Sequence, residues 1–187
     1  MDRPDLAIFT AGLRLSQFAI IPIMGIGTVL VTIAGTAYGA KNIKNLKIGF
    51  DYSLKLALIC SIIICLILYI FAPQISYIFC YTSSSDSLMF ELTQFLKIFT
   101  LYIFPIFVGV MCISILDGAG KGFHSLVLGL IQSILLELAF AILFGYYFNE
   151  GSFGVYKGLI IGNILGAILS YTWINLFIKK TEKKINT

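Results

Sequence analysis

The fold is decided by residues 53–72, which read SLKLALICSIIICLILYIFA. A transmembrane α-helix needs about 20 mainly apolar residues to cross the hydrocarbon core of a bilayer. This stretch has that length, and Lys55 is its only charged residue. It also lacks the alternation of apolar and polar residues that a strand of a membrane β-barrel shows. The stretch therefore predicts a membrane-spanning helix.

Four further stretches have the same character, and short polar segments separate them. The five predicted spans cover residues 6–38, 53–72, 95–116, 125–148 and 155–178, and residues 179–187 are predicted to form a basic cytoplasmic tail. The alternation of helix and short loop leaves no place for a domain boundary. The sequence therefore predicts an all-α fold, a polytopic membrane bundle of five transmembrane helices.

The composition argues against a soluble domain. Hydrophobic residues make up 59% of the chain and charged residues 12%, whereas a typical soluble domain has about half apolar and a quarter charged residues. The net charge of +4 comes mostly from lysines gathered in residues 41–47 and 179–184. Since no basic face runs along a helix, this pattern indicates orientation in a membrane and not nucleic-acid binding.

The distribution of lysine predicts the orientation of the chain. Cytoplasmic loops next to transmembrane helices carry an excess of Lys and Arg. The loops after the first, third and fifth spans hold Lys41, Lys44, Lys47, Lys121, Lys179, Lys180, Lys183 and Lys184. We therefore expect a multi-pass protein of the cell membrane with its carboxy-terminus in the cytoplasm and its amino-terminus outside. An outside amino-terminus without a signal peptide leads us to expect further sequence before Met1.

Prolines lie inside two of the predicted spans and at the end of a third. Pro22 and Pro105 lie inside the first and third spans, where a missing N–H frees the carbonyl groups of Phe18 and Leu101. We expect a kink at each, serving either as a hinge between conformations or as a tolerated structural irregularity. Pro73 follows the second span directly and is expected to end that helix.

Glycine recurs at every fourth position of the fifth span, at Gly154, Gly158, Gly162 and Gly166. Small residues at this spacing let two helix backbones approach closely in a membrane. The pattern predicts a packing surface for a neighbouring helix. Asn163, on the same helix, is expected to donate an interhelical hydrogen bond.

Two ionisable side chains are expected at membrane depth, where a charge costs about 2.5–3.5 kcal/mol. Arg14 lies two turns into the first span, with Gln17 on the same face. Glu137 lies midway along the fourth span, with Ser133 one turn earlier and Gln132 nearby. Glu137 is either a protonatable carboxylate that couples proton entry to a conformational change or a structural carboxylate paired with Arg14 or a hydroxyl. Arg14 either faces the bundle interior or extends to the outer interface.

The sequence predicts no enzyme activity, no cofactor and no metal site. The segment Asp117–Lys121 is rich in glycine, but Gly122 stands where a phosphate-binding loop needs Ser or Thr. The chain has a single histidine, His124, and no nucleophile–base–acid arrangement. Its cysteines lack CxxC spacing and are expected to act as small buried hydrophobic residues, at positions Cys60, Cys65, Cys80 and Cys112.

Three segments of the chain resemble the multidrug and toxic compound extrusion (MATE) family. They are Gly12–Arg14 with Pro22–Gly27, then Gly35–Asn42, which reads GTAYGAKN, and Leu116–Lys121, which reads LDGAGK. The resemblance covers nearly the whole chain and implies that its spans correspond to the eighth to twelfth helices of the family. It also implies that the amino-terminal half and the seventh helix are absent from this chain, by truncation or because the gene is split. Some family members carry an acidic cation ligand in the tenth helix, but residues 95–116 contain no carboxylate.

The resemblance implies a multidrug efflux antiporter coupled to H⁺ or Na⁺, which exports amphipathic, drug-like organic cations by alternating access. The expected partners are the lipid bilayer, these small molecules, and a missing amino-terminal half or partner subunit. Tyr102 and Phe104 are expected to contribute to the cavity. Two alternatives stay open. One is a lipid-linked saccharide flippase of the same broad superfamily, which should show more cationic cavity residues than Arg14 alone. The other is a non-transporting membrane fragment or subunit.

Overall fold

The computed structural model describes residues 3–80, 86–147 and 151–185. In these ranges the chain forms helices joined by short turns, without a β-strand. The α-helices are α1 (Arg3–Gly39), α2 (Ile43–Cys80), α3 (Asp86–Gly118), α4 (Gly122–Leu130), α5 (Ala139–Ile142) and α6 (Gly151–Ile185). Two π-helical segments, π1 (Ile131–Leu138) and π2 (Leu143–Tyr147), join α4 and α5 into one continuous rod, which we call the fourth span. The prediction of an all-α fold is confirmed.

Five helical stretches among the described residues are long and apolar enough to cross a bilayer. They run over Ile20–Gly39, Ile43–Tyr77, Leu92–Gly118, Gly122–Tyr147 and Gly154–Lys183. Their order and number agree with the five spans expected from the sequence. Helices α1, α2, α3 and α6 extend further than the expected spans at both ends, and α6 continues through the lysines that were expected to form a tail.

The expectation that Pro73 ends the second helix is wrong, because α2 runs through it to Cys80. A proline inside a helix removes one backbone hydrogen bond. Transmembrane helices tolerate this loss because side chains and local adjustments satisfy the backbone nearby. The carbonyl that loses its helical donor at Pro73 is that of Tyr69, four residues earlier in the same continuous helix.

The outer surface of the bundle is apolar. Along α2, large side chains at intervals of three or four residues are more than a third exposed, namely Ile59, Ile62, Ile63, Leu66, Ile70 and Phe71. A contiguous apolar surface of this extent is rare on a soluble monomer. It fits a helix whose outward face is solvated by lipid.

Helix α3 is the centre of the bundle and packs against α1, α2 and α6. Small residues let α1 approach it closely. A Cβ atom on Gly27 would lie 2.8 Å from the Ser114 Oγ, and one on Gly118 would clash with the carbonyl oxygen of Val31. Any larger residue at Gly118 would therefore push the two helices apart, whereas one at Gly27 would require the Ser114 side chain to move.

Helices α1 and α3 end with the same backbone motif. The N–H of Asn42 donates to the carbonyl of Ala37 and the N–H of Lys41 to that of Tyr38, at 2.9 and 3.0 Å. After α3, Lys121 and Gly120 make the equivalent bonds to Leu116 and Asp117. This is the Schellman motif, in which the residue after the helix adopts a left-handed conformation. Accordingly Lys41 has φ 55° and Gly120 has φ 68°.

Ring contacts hold the second half of α6 against the first two helices. Tyr38 stacks on Phe177 with ring centroids 6.3 Å apart, and Phe50 stacks on Tyr171 at 6.4 Å. Together with the packing of α6 on α3, these contacts fix which face of α6 points to the fourth span.

Candidate functional site

The glycines of α6 form the surface on which the fourth span packs. A Cβ atom on Gly158 would clash with the backbone of Phe140, and one on Gly162 would lie 2.7 Å from the Glu137 Cα. A Cβ on Gly166 would lie 2.7 Å from the Gln132 Cγ. The predicted packing role is therefore confirmed for these three glycines. Because the backbone of Glu137 lies against Gly162, this contact sets how closely that part of π1 approaches α6.

Gln132, on π1, contacts both α3 and α6. Its amide lies in a niche of α3, where a Cβ on Gly109 would come within 2.7 Å of the Gln132 Nε2. The Nε2 donates to the Asn163 Oδ1 at 3.4 Å, and the Ser170 Oγ donates to the Gln132 Oε1 at 3.4 Å. The Gln132 side chain is 9% exposed and Asn163 and Ser170 are completely buried. These bonds form a buried polar connection between π1 and α6.

Asn163 makes the interhelical hydrogen bond that the sequence predicts, but as an acceptor. Its Nδ2 is buried and has no hydrogen-bond partner among the described residues. The Asn163 amide lies near the hydroxyl of Tyr102, so it extends the buried polar groups toward α3.

Glu137 lies five residues after Gln132 on π1 and is partly buried. The Tyr102 hydroxyl donates to its Oε2 at 3.4 Å. Tyr102, Gln132, Glu137, Asn163 and Ser170 thus form one group of neighbouring polar side chains from α3, π1 and α6, which we call the polar cluster. It joins two of the residues singled out from the sequence, Tyr102 and Glu137, and places them inside two predicted membrane spans.

The π-helical backbone explains why Gln132 and Glu137 belong to the same cluster. Residues five apart differ by about 140° around an α-helix, since each residue turns by 100°. In a π-helix the bonds run between residues five apart, which brings such residues nearer to one face. π-helical segments frequently mark functional sites. The sequence contains no simple signal for this change of helix type.

The sequence also singled out Arg14, Gln17 and Pro22 on α1. Gln17 is exposed and, with Phe18, Ile21 and Met24, lines a shallow cavity of about 470 Å³. Pro22 lies within the same exposed stretch of an uninterrupted helix. Arg14 is part of α1, but its side chain lies outside the described residues. Its pairing with Glu137 stays a prediction.

Pro105 is buried inside α3, one turn from the niche at Gly109 that receives Gln132. The carbonyl that Pro105 is expected to free is that of Leu101. The carbonyl of the preceding residue, Thr100, accepts a hydrogen bond from the Cys65 thiol at 3.3 Å. Phe104 is 44% exposed and makes an edge-to-face contact with Phe107. The proline therefore lies beside the polar cluster, and its role as a hinge stays a prediction.

The chemistry of the cluster is that of one carboxylate among neutral groups. Among the described residues, no three or more His, Cys, Asp or Glu side chains lie close enough together to hold a metal ion. The cluster offers carboxylate, phenol, amide and hydroxyl oxygens, the ligand types that hard cations accept. It can therefore accommodate a single positive charge, either a proton on Glu137 or a small cation.

Comparison with known proteins gives the family of the chain. The family model described as MatE matches residues 2–143, which is most of the sequence. The chain belongs to the MATE family. Among curated proteins there is no significant match.

Solved MATE structures have the same fold. An inward-facing structure of a multidrug resistance MATE family transporter of the MOP superfamily is 28% identical over 94% of this chain, with a TM-score of 0.89. An outward-facing one is 29% identical over 96%, with a TM-score of 0.91. A MOP superfamily transporter from Pyrococcus furiosus, described as having a binding pocket of reversed polarity, is 28% identical over 96%, with a TM-score of 0.92.

This chain spans 40% of the length of each of these three transporters. The match to the MATE fold confirms the resemblance inferred from the sequence and the arrangement of five spans. It makes the chain a multi-pass membrane protein of a transporter family, and it points away from a catalytic enzyme.

Proposed function

We propose that this chain forms one wall of a cation-coupled multidrug efflux antiporter that works by alternating access. The observation that carries the proposal is the polar cluster around Glu137, because an ionisable group inside the membrane is costly and usually serves ion or substrate movement. Coupling is by H⁺ or Na⁺. The exported compounds are amphipathic organic cations, and the other wall comes from an amino-terminal half or partner subunit.

The position of Glu137 suits a coupling role. The carboxylate contacts Tyr102 on α3, while the backbone beneath it packs on Gly162 of α6. A proton or cation that neutralises Glu137 changes the interaction with Tyr102 and so changes how π1 is held against α3. A ligand can shift a conformational equilibrium only by binding two states differently, and this contact offers such a difference.

We expect the coupling cation and the drug to move in opposite directions, because both are positively charged. A cation bound at Glu137 and a cationic drug elsewhere in the transporter would favour different conformations, so that entry of one drives export of the other. The apolar cavity beside Gln17 and Met24 on α1 offers a surface of the kind that amphipathic compounds bind.

A lipid-linked saccharide flippase is the second candidate, and the Pyrococcus furiosus relative with the reversed pocket polarity keeps it open. Such a substrate carries phosphate, which calls for Lys or Arg in the cavity. The polar cluster instead contains one carboxylate and neither of those residues, which favours the cation exporter. A non-transporting subunit is the third candidate.

Efflux from cells separates these candidates. The chain is expressed alone and together with the preceding helices of a MATE relative, and export of a fluorescent organic cation such as ethidium is recorded. We expect export only with both parts, and a loss of at least tenfold in Glu137→Gln. Glu182→Gln is the matched control, because Glu182 is exposed near the end of α6, and it should export normally.

Two outcomes count against the proposal. Export of ethidium that is equal in Glu137→Gln and the unchanged chain removes Glu137 from the mechanism. Absence of export in every combination, with both parts present in the membrane at normal levels, favours the non-transporting subunit. Translocation of a lipid-linked saccharide in that situation would favour the flippase.

A further inference from the structure

A second cavity, whose lining contains no residue of the polar cluster, lies between α4 and residues 169–180 of α6. It has a volume of about 360 Å³. His124 of α4 forms one side of its lining, and α6 contributes most of the rest through Leu169, Thr172, Trp173, Leu176 and Lys180. We call it the basic-end cleft. Neither the polar cluster nor the proposed transport mechanism uses any of these residues.

The cleft exists because the fourth span and α6 diverge. The glycine surface that brings their backbones together ends at Gly166, opposite Gln132. Beyond it α6 carries the large side chains of Leu169, Trp173 and Leu176, and α4 packs against α3. A wedge between the two helices is the result, and it opens on the outer surface, since His124, Trp173 and Lys180 are all exposed.

The polarity of the cleft changes along α6. Leu169, Trp173 and Leu176 form its apolar part, and Lys180 and His124 form its polar end. Trp173 and Lys180 are seven residues apart, about 10 Å along a helix. That separation suits a molecule with an apolar chain and an anionic group. Tryptophan and lysine near a helix end are also the residues that anchor a helix at the membrane–water boundary.

The surrounding charge complements an anion at the polar end. Lys179 and Lys183 flank Lys180 on α6, with Glu182 as the acidic residue among them. The predicted orientation puts this end in the cytoplasmic leaflet, where anionic phospholipids are concentrated and basic pockets between helices bind their headgroups.

We propose that the basic-end cleft binds an anionic phospholipid. Lys180 and an imidazole N–H of His124 contact the headgroup phosphate, and one acyl chain lies along Leu169, Trp173 and Leu176. The bound lipid fills the wedge between α4 and α6. The proposal is independent of drug transport, so it can be tested without an amino-terminal half.

The chain reports on this site by its own fluorescence, because Trp173 is its single tryptophan. The chain is reconstituted into vesicles of phosphatidylcholine with 10–20 mol% phosphatidylglycerol. In one sample the phosphatidylcholine carries brominated acyl chains, which quench tryptophan, and in a second sample the phosphatidylglycerol carries them. We expect the quenching of Trp173 to show that phosphatidylglycerol is enriched roughly fivefold at the site over its fraction in the membrane. This is the preference for an anionic lipid that one lysine near the membrane surface gives.

Variants distinguish a site from general surface attraction. Lys180→Gln should abolish most of the enrichment and His124→Gln part of it, whereas Lys179→Gln, a neighbour outside the cleft lining, should leave it nearly unchanged. Circular dichroism confirms that each variant is helical. Equal quenching by the two brominated lipids, or equal losses in Lys179→Gln and Lys180→Gln, would overturn the proposal.

A last arm separates a lipid headgroup from free phosphate. Inorganic phosphate is added and compared with chloride at the same ionic strength. We expect the two salts to reduce the enrichment equally, by screening alone. If phosphate specifically displaces brominated phosphatidylglycerol, the cleft is a site for a soluble anion and the lipid proposal is wrong.

Discussion

At the scale of single residues, Lys41 and Gly120 show what the backbone demands at the ends of α1 and α3. Both adopt positive φ in the same capping motif, although one has a long side chain and the other none. A left-handed conformation costs a residue with a Cβ atom about 1–2 kcal/mol relative to the right-handed one. Lys41 bears that cost, and Gly120 avoids it.

Introducing glycine at position 41 and removing it from position 120 should therefore have opposite effects on the stability of the folded chain. We expect Lys41→Gly to stabilise the folded chain by up to about 1 kcal/mol and Gly120→Ala to destabilise it by a similar amount. No atom lies within 4 Å of a Cβ built on Gly120, so steric contact does not contribute. The apparent midpoint of thermal unfolding, followed by circular dichroism in detergent, measures both effects. Shifts in the same direction would contradict the assignment of these caps.

The polar cluster shows which residue-level features a sequence reveals. Glu137 could be selected from the sequence because a carboxylate in the middle of an apolar span is unusual. Its contact with Tyr102 could not be predicted, since it depends on how α3 and π1 pack. Gln132 was visible only as a polar neighbour of Glu137. Its bridging role depends on the niches at Gly109 of α3 and Gly166 of α6, which are far apart in the sequence.

At the scale of elements, the contact between α6 and the fourth span is the clearest case in which pattern predicts packing. Glycine at every fourth position indicated a smooth helix face, and the structure places the backbone of Phe140, Leu136 and Glu137 against it. The lengths of the helices were harder to predict. Pro73 indicated a helix end by the rules for soluble proteins, but α2 continues through it.

The same contact gives a second prediction. Gly162→Ala should destabilise the chain by about 1–3 kcal/mol, the usual cost of overpacking, because the new methyl group would lie 2.7 Å from the Glu137 Cα. Gly25→Ala is the matched control. It lies in α1 with no neighbour within 4 Å of the new methyl group, so it should be neutral or slightly stabilising.

Thermal unfolding in detergent compares these two variants. A midpoint for Gly162→Ala equal to that of Gly25→Ala would mean that the helices separate at little cost. The close packing of α6 on π1 would then not be what positions Glu137, and the link between this glycine surface and the polar cluster would be lost.

At the scale of the whole molecule, the five spans and the lysine distribution together predict how the chain lies in the membrane. The number and order of the spans could be predicted from apolar length alone, since bilayer thickness fixes the length of a spanning helix. The π-helical part of the fourth span could not, because apolar length does not distinguish one helix type from another.

Orientation is tested by labelling single cysteines in intact cells. In a background with the native cysteines replaced, Glu150→Cys should react with a membrane-impermeant maleimide, and Lys183→Cys should react only after the cells are permeabilised. This result follows from the excess of lysine at the end that holds Lys183. Labelling of Lys183→Cys in intact cells, with Glu150→Cys protected, would reverse the proposed topology.

The central claim is that Glu137 couples a cation gradient to drug movement. Its most direct test is transport by proteoliposomes that contain this chain together with the preceding helices of a MATE relative. One assay follows ethidium movement driven by an imposed H⁺ or Na⁺ gradient, and a parallel assay follows exchange of ethidium across the membrane without a gradient. We predict that Glu137→Gln loses the gradient-driven movement and keeps the exchange, while Glu182→Gln keeps both. Gradient-driven movement at an unchanged rate in Glu137→Gln would contradict the account.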